Sequence, residues 1–194
     1  MSKMADFKIR PLDEKTWPDF ARLVEKHNGV WGGCWCLWFH QKGTGSMSGN
    51  KKLKQSLVCE GRARAALVYD GPNAIGWCQF GRPEDLPRIK HKKTYAEAVR
   101  EKPDWRITCF FVDRDYRGRG VASIALQGAL DLIAGQGGGL VESFPALMDG
   151  RKTSASFLYN STVSAFEKLG FTREHQIGMH HWLVTKRVVG KAVR

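Results

Sequence analysis

Apolar or small residues at Ala122, Ala125, Leu126, Ala129, Leu130 and Ile133 recur at the three-and-four spacing of one buried helix face. The spacing predicts a helix over Val121 to Ala134. Trp17, Phe20, Ala21, Leu23 and Val24 repeat the pattern and predict an earlier helix from about Asp13 to His27, after a strand at Phe7 to Leu12. Arg64 to Asp70 and Ala74 to Phe80 read as strands, joined around Gly71-Pro72 with the turn chemistry of a hairpin. Between the first helix and this hairpin, Asn28 to Asn50 is a loop rich in glycine and aromatics, followed by a short basic helix over roughly Lys51 to Arg62. Arg82 to Trp105 is charged and carries three prolines. It reads as an insertion with one short helix at Thr94 to Glu101. Arg106 to Val112 is then a central strand and Gly139 to Phe144 another. A last helix at about Ser156 to Leu169 leads into a closing antiparallel pair, Phe171 to Gln176 and Met179 to Val189. This alternation is the mark of an α/β fold, and no internal repeat or second domain interrupts residues 1–194.

A chain of 194 residues suits one domain with a core that needs no staples. Its five cysteines are an odd count and no leader-like segment precedes them, so the thiols read as reduced and the protein as cytoplasmic. No apolar run is long enough to cross a bilayer, and no membrane partner is expected. The formal net charge of +12 clusters at Lys51 to Lys54, Arg88 to Lys93 and Lys186 to Arg194, which suits an anionic partner. With no nucleic-acid motif beside that charge, a solvated basic face ranks above nucleic-acid binding. Oligomeric state stays open, a homodimer being compatible with the sequence.

The charge matters most at Phe110-Phe111-Val112-Asp113-Arg114-Asp115-Tyr116-Arg117-Gly118-Arg119-Gly120-Val121-Ala122, where an apolar strand meets a basic glycine turn and then a helix. Unpaired backbone N–H groups and the positive end of the helix dipole meet there. Glycine lets an anion approach the main chain, and Arg117 and Arg119 add formal charge. Asp113 and Asp115 read as turn residues.

Arg-x-x-Gly-x-Ala at Arg117, Gly120 and Ala122 resembles the acyl-CoA signature of the GNAT superfamily of N-acetyltransferases. Ser164 to Phe171 resembles that family's helix ending in a Gly-Phe step. The resemblance covers nearly the whole chain. It implies a mixed, largely antiparallel central sheet with splayed fourth and fifth strands flanked by helices, and transfer of an acetyl group from acetyl-CoA to an amine-bearing acceptor, small molecule or protein. It also implies that the main chain of Phe110, Phe111 and Val112 meets the pantetheine arm and thioester, while Arg117, Gly118, Arg119, Gly120, Val121 and Ala122 hold the pyrophosphate. Two rival readings are a binding module for acyl-CoA without chemistry and a basic nucleic-acid-associated protein.

Catalytic candidates follow from the chemistry such a transfer requires. Glu142, in the otherwise apolar Leu140 to Phe144, is a candidate base with burial to raise its pKa, or else an edge glutamate reaching solvent. Phe166 stands where many relatives carry a tyrosine that protonates the leaving thiolate. Tyr159, seven residues earlier on the expected helix, is a candidate replacement or else a structural tyrosine. The loop from Val30 to His40 offers Trp31, Trp35 and Trp38 as a wall for the acceptor, joined by Trp77 and Gln79 from the hairpin, or a hydrophobic loop tucked into the core. Cys34, Cys36 and His40 invite a metal, but the Cys-x-Cys spacing and the missing fourth ligand argue against one.

Overall fold

A computed structural model describes residues 7–150 and 158–191. Seven strands form one sheet: β1 (Lys8–Pro11), β2 (Arg64–Asp70), β3 (Asn73–Gly81), β4 (Trp105–Val112), β5 (Gly138–Ser143), β6 (Thr172–Gln176) and β7 (Trp182–Val189). Their order is β1-β2-β3-β4-β5-β7-β6. Every neighbouring pair is antiparallel except β4 with β5, which is parallel and joined through a crossover helix. The expected mixed, largely antiparallel sheet is therefore present. The closing pair threads β7 between β5 and β6, so β5 is an interior strand.

Helices cover both faces. On one face α4 (Val121–Gly135) lays Ala125, Leu126, Ala129, Leu130 and Ile133 against Ile107, Phe110 and Val141. This is the stripe read from the sequence. The other face carries α1 (Trp17–Lys26), α2 (Met47–Cys59) and the aromatic loop between them. The first helix starts later than the pattern predicts, because Asp13 to Thr16 is a turn. Asp13 Oδ1 accepts from the backbone N–H of Lys15 and Thr16, and a proline occupies the first helical turn. The basic helix starts earlier than expected, where Ser46 caps it by accepting from the Gly49 N–H.

The last helix differs most. Among the described residues of this stretch only α5 (Val163–Glu167), capped by Thr162, is helical; residues 158–162 are turn and loop. The expected start at Ser156 lies outside the described residues. The supposed insertion is a cover instead. Leu86 is buried, and the short α3 (Lys92–Ala98) brings Tyr95 against Phe144 beside β5.

A feature with no signature in the periodicity shapes the centre of the sheet. Cys78 pairs with Phe110 and Phe80 with Ile107, so Gln79 faces the two residues Thr108 and Cys109. This β-bulge bends β4. Beyond Trp105–Val141 and Arg106–Glu142, β4 and β5 no longer pair. Residues 158–163 enter the resulting wedge. The Phe110 N–H donates to the Tyr159 carbonyl at 2.6 Å, and Ala146 exchanges backbone hydrogen bonds with Ser161 and Val163.

A buried ammonium ties the aromatic loop to this bulge. Lys54 Nζ, 1% exposed on α2, donates to Gln79 Oε1 (2.6 Å), His40 Nε2 (3.3 Å) and the Cys36 carbonyl (3.4 Å). Gln79 Nε2 passes the chain on to Thr108 Oγ1. His40 Nδ1–H donates to the Asp85 carbonyl at 2.8 Å, which leaves Nε2 as the acceptor. Burial, then the Lys54 charge, pushes the His40 pKa down from 6.5 to about 3. The unfolded chain therefore binds a proton below about pH 6.5 that the folded one refuses. Stability is fully present above that pH and is lost on acidification towards about pH 3, by up to about 1.4 kcal/mol per pH unit. Urea unfolding at about pH 6.5 and about pH 5 will show this loss, and His40→Gln will flatten it; an unchanged slope in the variant would place the titration elsewhere.

Candidate active site

Val112 ends β4, and the chain turns through one 3-10 turn, Arg114–Tyr116, into the start of α4. Asp113 organises the turn. Its Oδ1 accepts from the Asp115 N–H (3.1 Å), and its Oδ2 from Lys26 Nζ (2.7 Å) at the end of α1. Burial works against the Asp113 carboxylate, but the Lys26 contact and the Asp115 N–H outweigh it and hold its pKa below the ordinary value. The aspartates are turn residues here, as their position before the glycines implies.

Gly120 caps α4 in the left-handed region (φ +77°), and Gly118 has φ +75°. A Cβ on either would meet nothing within 4 Å, so the main chain lies open to solvent on that side. Arg117 and Arg119 are exposed beside it, Arg119 standing 5.1 Å from the Tyr116 ring centre. The turn, Val121 and Ala122 form one end of a cleft of about 240 Å³ whose walls include Phe110, Phe111, Val112 and Trp31, closed opposite by Ser161 and Thr162. Such an end can take an anion, and the apolar walls an extended chain.

The three β4 residues differ in what their main chain offers. The Phe110 N–H is taken by Tyr159. The Asp113 N–H turns to Ile75 on β3, so strand alternation sends the Phe111 N–H the same way and the Val112 N–H to the cleft side.

A second cavity, of about 290 Å³, has Trp31 as a wall in common with the first. Trp38, Phe39, Tyr159 and the thiols of Cys34, Cys36 and Cys109 wall it, and the exposed Lys90 stands at its rim. Of the residues expected to read an acceptor, Trp31 and Trp38 line this cavity. Trp35, Trp77 and Gln79 do not: all three are at most 1% exposed. Trp35 packs on Trp17 and Phe20, Trp77 stacks on Phe111 at 4.7 Å, and Gln79 serves Lys54. The loop is thus both wall and core, since successive positive-φ residues, Val30 and Trp31 and then Trp35 and Cys36, turn alternate rings in and out.

Tyr159 is not on a helix. It lies in the wedge, its hydroxyl buried without a partner at the second cavity. Phe166 is wholly buried against Phe110 and Phe171.

Glu142 lies outside both cavities, nor does it reach solvent as an edge residue would. It is 1% exposed, paired to Arg106 Nε at 2.6 Å, and accepts from Tyr95 Oη at 3.0 Å. Burial raises its pKa, opposed by Arg106 and by the Tyr95 hydroxyl. The same guanidinium donates to the Leu86 carbonyl. Strand alternation correctly gives Glu142 a face shared with Phe144, but nothing in the local sequence announces Arg106 as its partner across the parallel pair.

The thiols of Cys36 and Cys109 lie 2.8 Å apart, and Trp77 Nε1 donates to Cys36 Sγ at 3.3 Å. Burial works against the Cys36 thiolate, but these contacts and the nearby Lys54 lower its pKa overall. Among the described residues no three His, Cys, Asp or Glu side chains gather in a metal-holding group.

Direct comparison with curated proteins found no match. Similar solved structures include Arabidopsis thaliana NAA60 in complex with acetyl-CoA (TM-score 0.53, 13% identity, covering 94% of this chain and 98% of that one). Others are the ribosomal-protein-S18-alanine N-acetyltransferase of Escherichia coli (0.51, 12%, 96% of each chain) and an acetyltransferase from Thermus thermophilus (0.51, 14%, 93% and 96%). At such identities the likeness is one of fold. The sequence itself carries the family: the model of the GNAT acetyltransferases matches residues 10–171, over β2 to β5, the glycine turn and the Gly-Phe step, and the chain belongs to that family.

Proposed function

We propose that this protein moves an acetyl group from acetyl-CoA to an amine, the donor lying in the cleft beside α4 and the acceptor entering through the cavity behind Trp31. The carrying observation is that the two spaces are walled by successive residues of one strand and share Trp31. Cys109 walls the acceptor cavity, the next three residues wall the cleft, and Trp31 belongs to both. The open side of Gly118 and Gly120, with Arg117 at hand, fits a pyrophosphate, and the apolar cleft fits the pantetheine arm. When bound, acetyl-CoA supplies an activated thioester carbonyl at the junction. The Val112 N–H is the β4 donor left on the cleft side.

No carboxylate lines either space among the described residues, and Glu142 is occupied by Arg106. The protein's part in deprotonation is therefore to select an amine that arrives neutral and to exclude water around it. Tyr159 is the hydroxyl we assign to protonate the departing thiolate, its oxygen then recovering the proton that the acetylated nitrogen sheds, and its buried Oη, unpartnered among the described residues, supports that role. The compartment proposed is the cytoplasm, supported by the free state of all five cysteines.

Release of free coenzyme A in the presence of amines tests the reading. Tyr159→Phe should lower kcat by about 10²-fold with acetyl-CoA affinity held. Unchanged kcat would return the tyrosine to a structural role, and tight acetyl-CoA binding with no turnover on any amine would favour a binding module. Trp38→Ala should raise the acceptor KM about tenfold and leave that for acetyl-CoA alone, because the ring touches one substrate only. Equal change in both constants would count against a separate acceptor cavity.

A further inference from the structure

The second cavity has a chemical polarity along its length. At its inner end Trp31 is a wall shared with the cleft. Its outer end is marked by Lys90, whose ammonium stands 4.4 Å from the Tyr159 ring centre and 5.7 Å from that of Trp38. The Arg88 guanidinium lies 4.6 Å from the Trp38 ring centre. Among the described residues, no carboxylate stands within ion-pair distance of Lys90 or Arg88. Between the two ends, Trp31 Nε1 and Tyr159 Oη are buried without partners. Lys90 and Trp31 can only donate, Tyr159 can donate, and the remaining wall is rings and thiols.

An acceptor with a bare alkylammonium and a second cationic group would find no counter-charge here and would face two like charges. A flat apolar body lies well against Trp31, Trp38 and Phe39, and an anion at its outer end meets Lys90. We propose that the acceptor is an aromatic amine carrying a carboxylate, its amine towards Trp31 and its carboxylate towards Lys90. The proposal rests on the assignment of this cavity to the acceptor. It narrows that assignment to a molecule whose own charge is complementary to the rim.

Matched pairs differing by one carboxylate test it: aniline with 4-aminobenzoate, benzylamine with 4-(aminomethyl)benzoate, and phenethylamine with 4-(2-aminoethyl)benzoate. Binding to the protein saturated with coenzyme A is read by calorimetry, and turnover with acetyl-CoA from release of coenzyme A. In at least one pair the carboxylate member should bind and react better by about tenfold, the worth of one charge-assisted hydrogen bond. Lys90→Met should bring the ratio close to one, and Lys90→Glu should invert it. Equal or better binding of the carboxylate-free member in every pair, or a ratio that survives both variants, would overturn the proposal. Those outcomes leave acetyl transfer standing if neutral amines are acetylated. Failure of acetyl-CoA itself to bind, by calorimetry, would instead remove the assignment underneath.

Discussion

Gly120→Glu should reduce acetyl-CoA affinity by about 10³-fold while the protein remains folded. The residue has φ +77° at the head of α4, and its free side opens onto the cleft with no protein atom within 4 Å of an added Cβ. A side chain there collides with nothing of the protein's own, so the folding cost is the left-handed strain alone, about 1–2 kcal/mol. The ligand's cost is larger. A carboxylate about 4 Å from a phosphate charge opposes binding by about 4 kcal/mol at the dielectric of a protein surface. Gly120→Ala carries the strain without the charge and should lose far less affinity. Calorimetry on the three proteins, with circular dichroism to verify the fold, reads the result. Unchanged affinity in a folded Gly120→Glu protein would move the phosphate site away from the turn.

Glu142→Gln should act on stability far more than on chemistry. Removing the carboxylate leaves the Arg106 guanidinium, 4% exposed, without its counter-ion and Tyr95 with a poorer acceptor. Breaking one side of a buried pair costs about 3–5 kcal/mol. Replacing both partners with apolar residues, as in Arg106→Met with Glu142→Leu, should recover most of it, since no buried charge is then orphaned. Urea unfolding measures the ledger, and kcat taken well below the melting temperature should fall less than tenfold in Glu142→Gln. A loss of 10²–10⁴ in kcat with stability intact would instead restore the carboxylate as the general base.

The sequence and the structure agree where one local rule decides. The stripe on α4, the hairpin strands and the anion-binding look of the glycine turn each depend on neighbours in the chain. They part where the deciding contact is remote. Glu142 looks like a base among apolar residues because Arg106, 36 positions earlier, is its partner only through the β4–β5 register. Trp35 and Trp38 are equivalent as sequence, yet backbone turns send one into the core and the other to the cavity. Tyr159 reaches the second cavity by a different route from the helical one its spacing suggests. Lys54, one of a run of basic residues that reads as a solvated face, is wholly buried because His40, Gln79 and the Cys36 carbonyl converge on it.

The short β4–β5 pairing makes the sheet a pair of jaws. One jaw is the four strands from β1 to β4, which hold the glycine turn and the floor of both cavities. The other is β5, β7 and β6. At the apex are two register pairs, and across the last of them Arg106 and Glu142 form an ionic clasp. A ligand seated between the open ends would bear on that apex as a wedge bears on a hinge. The thrust is met by the clasp and by the Tyr159 and Ser161 carbonyls spanning the gap. The opening of the groove is thus tied to the Arg106–Glu142 pair at the apex, which lines neither cavity.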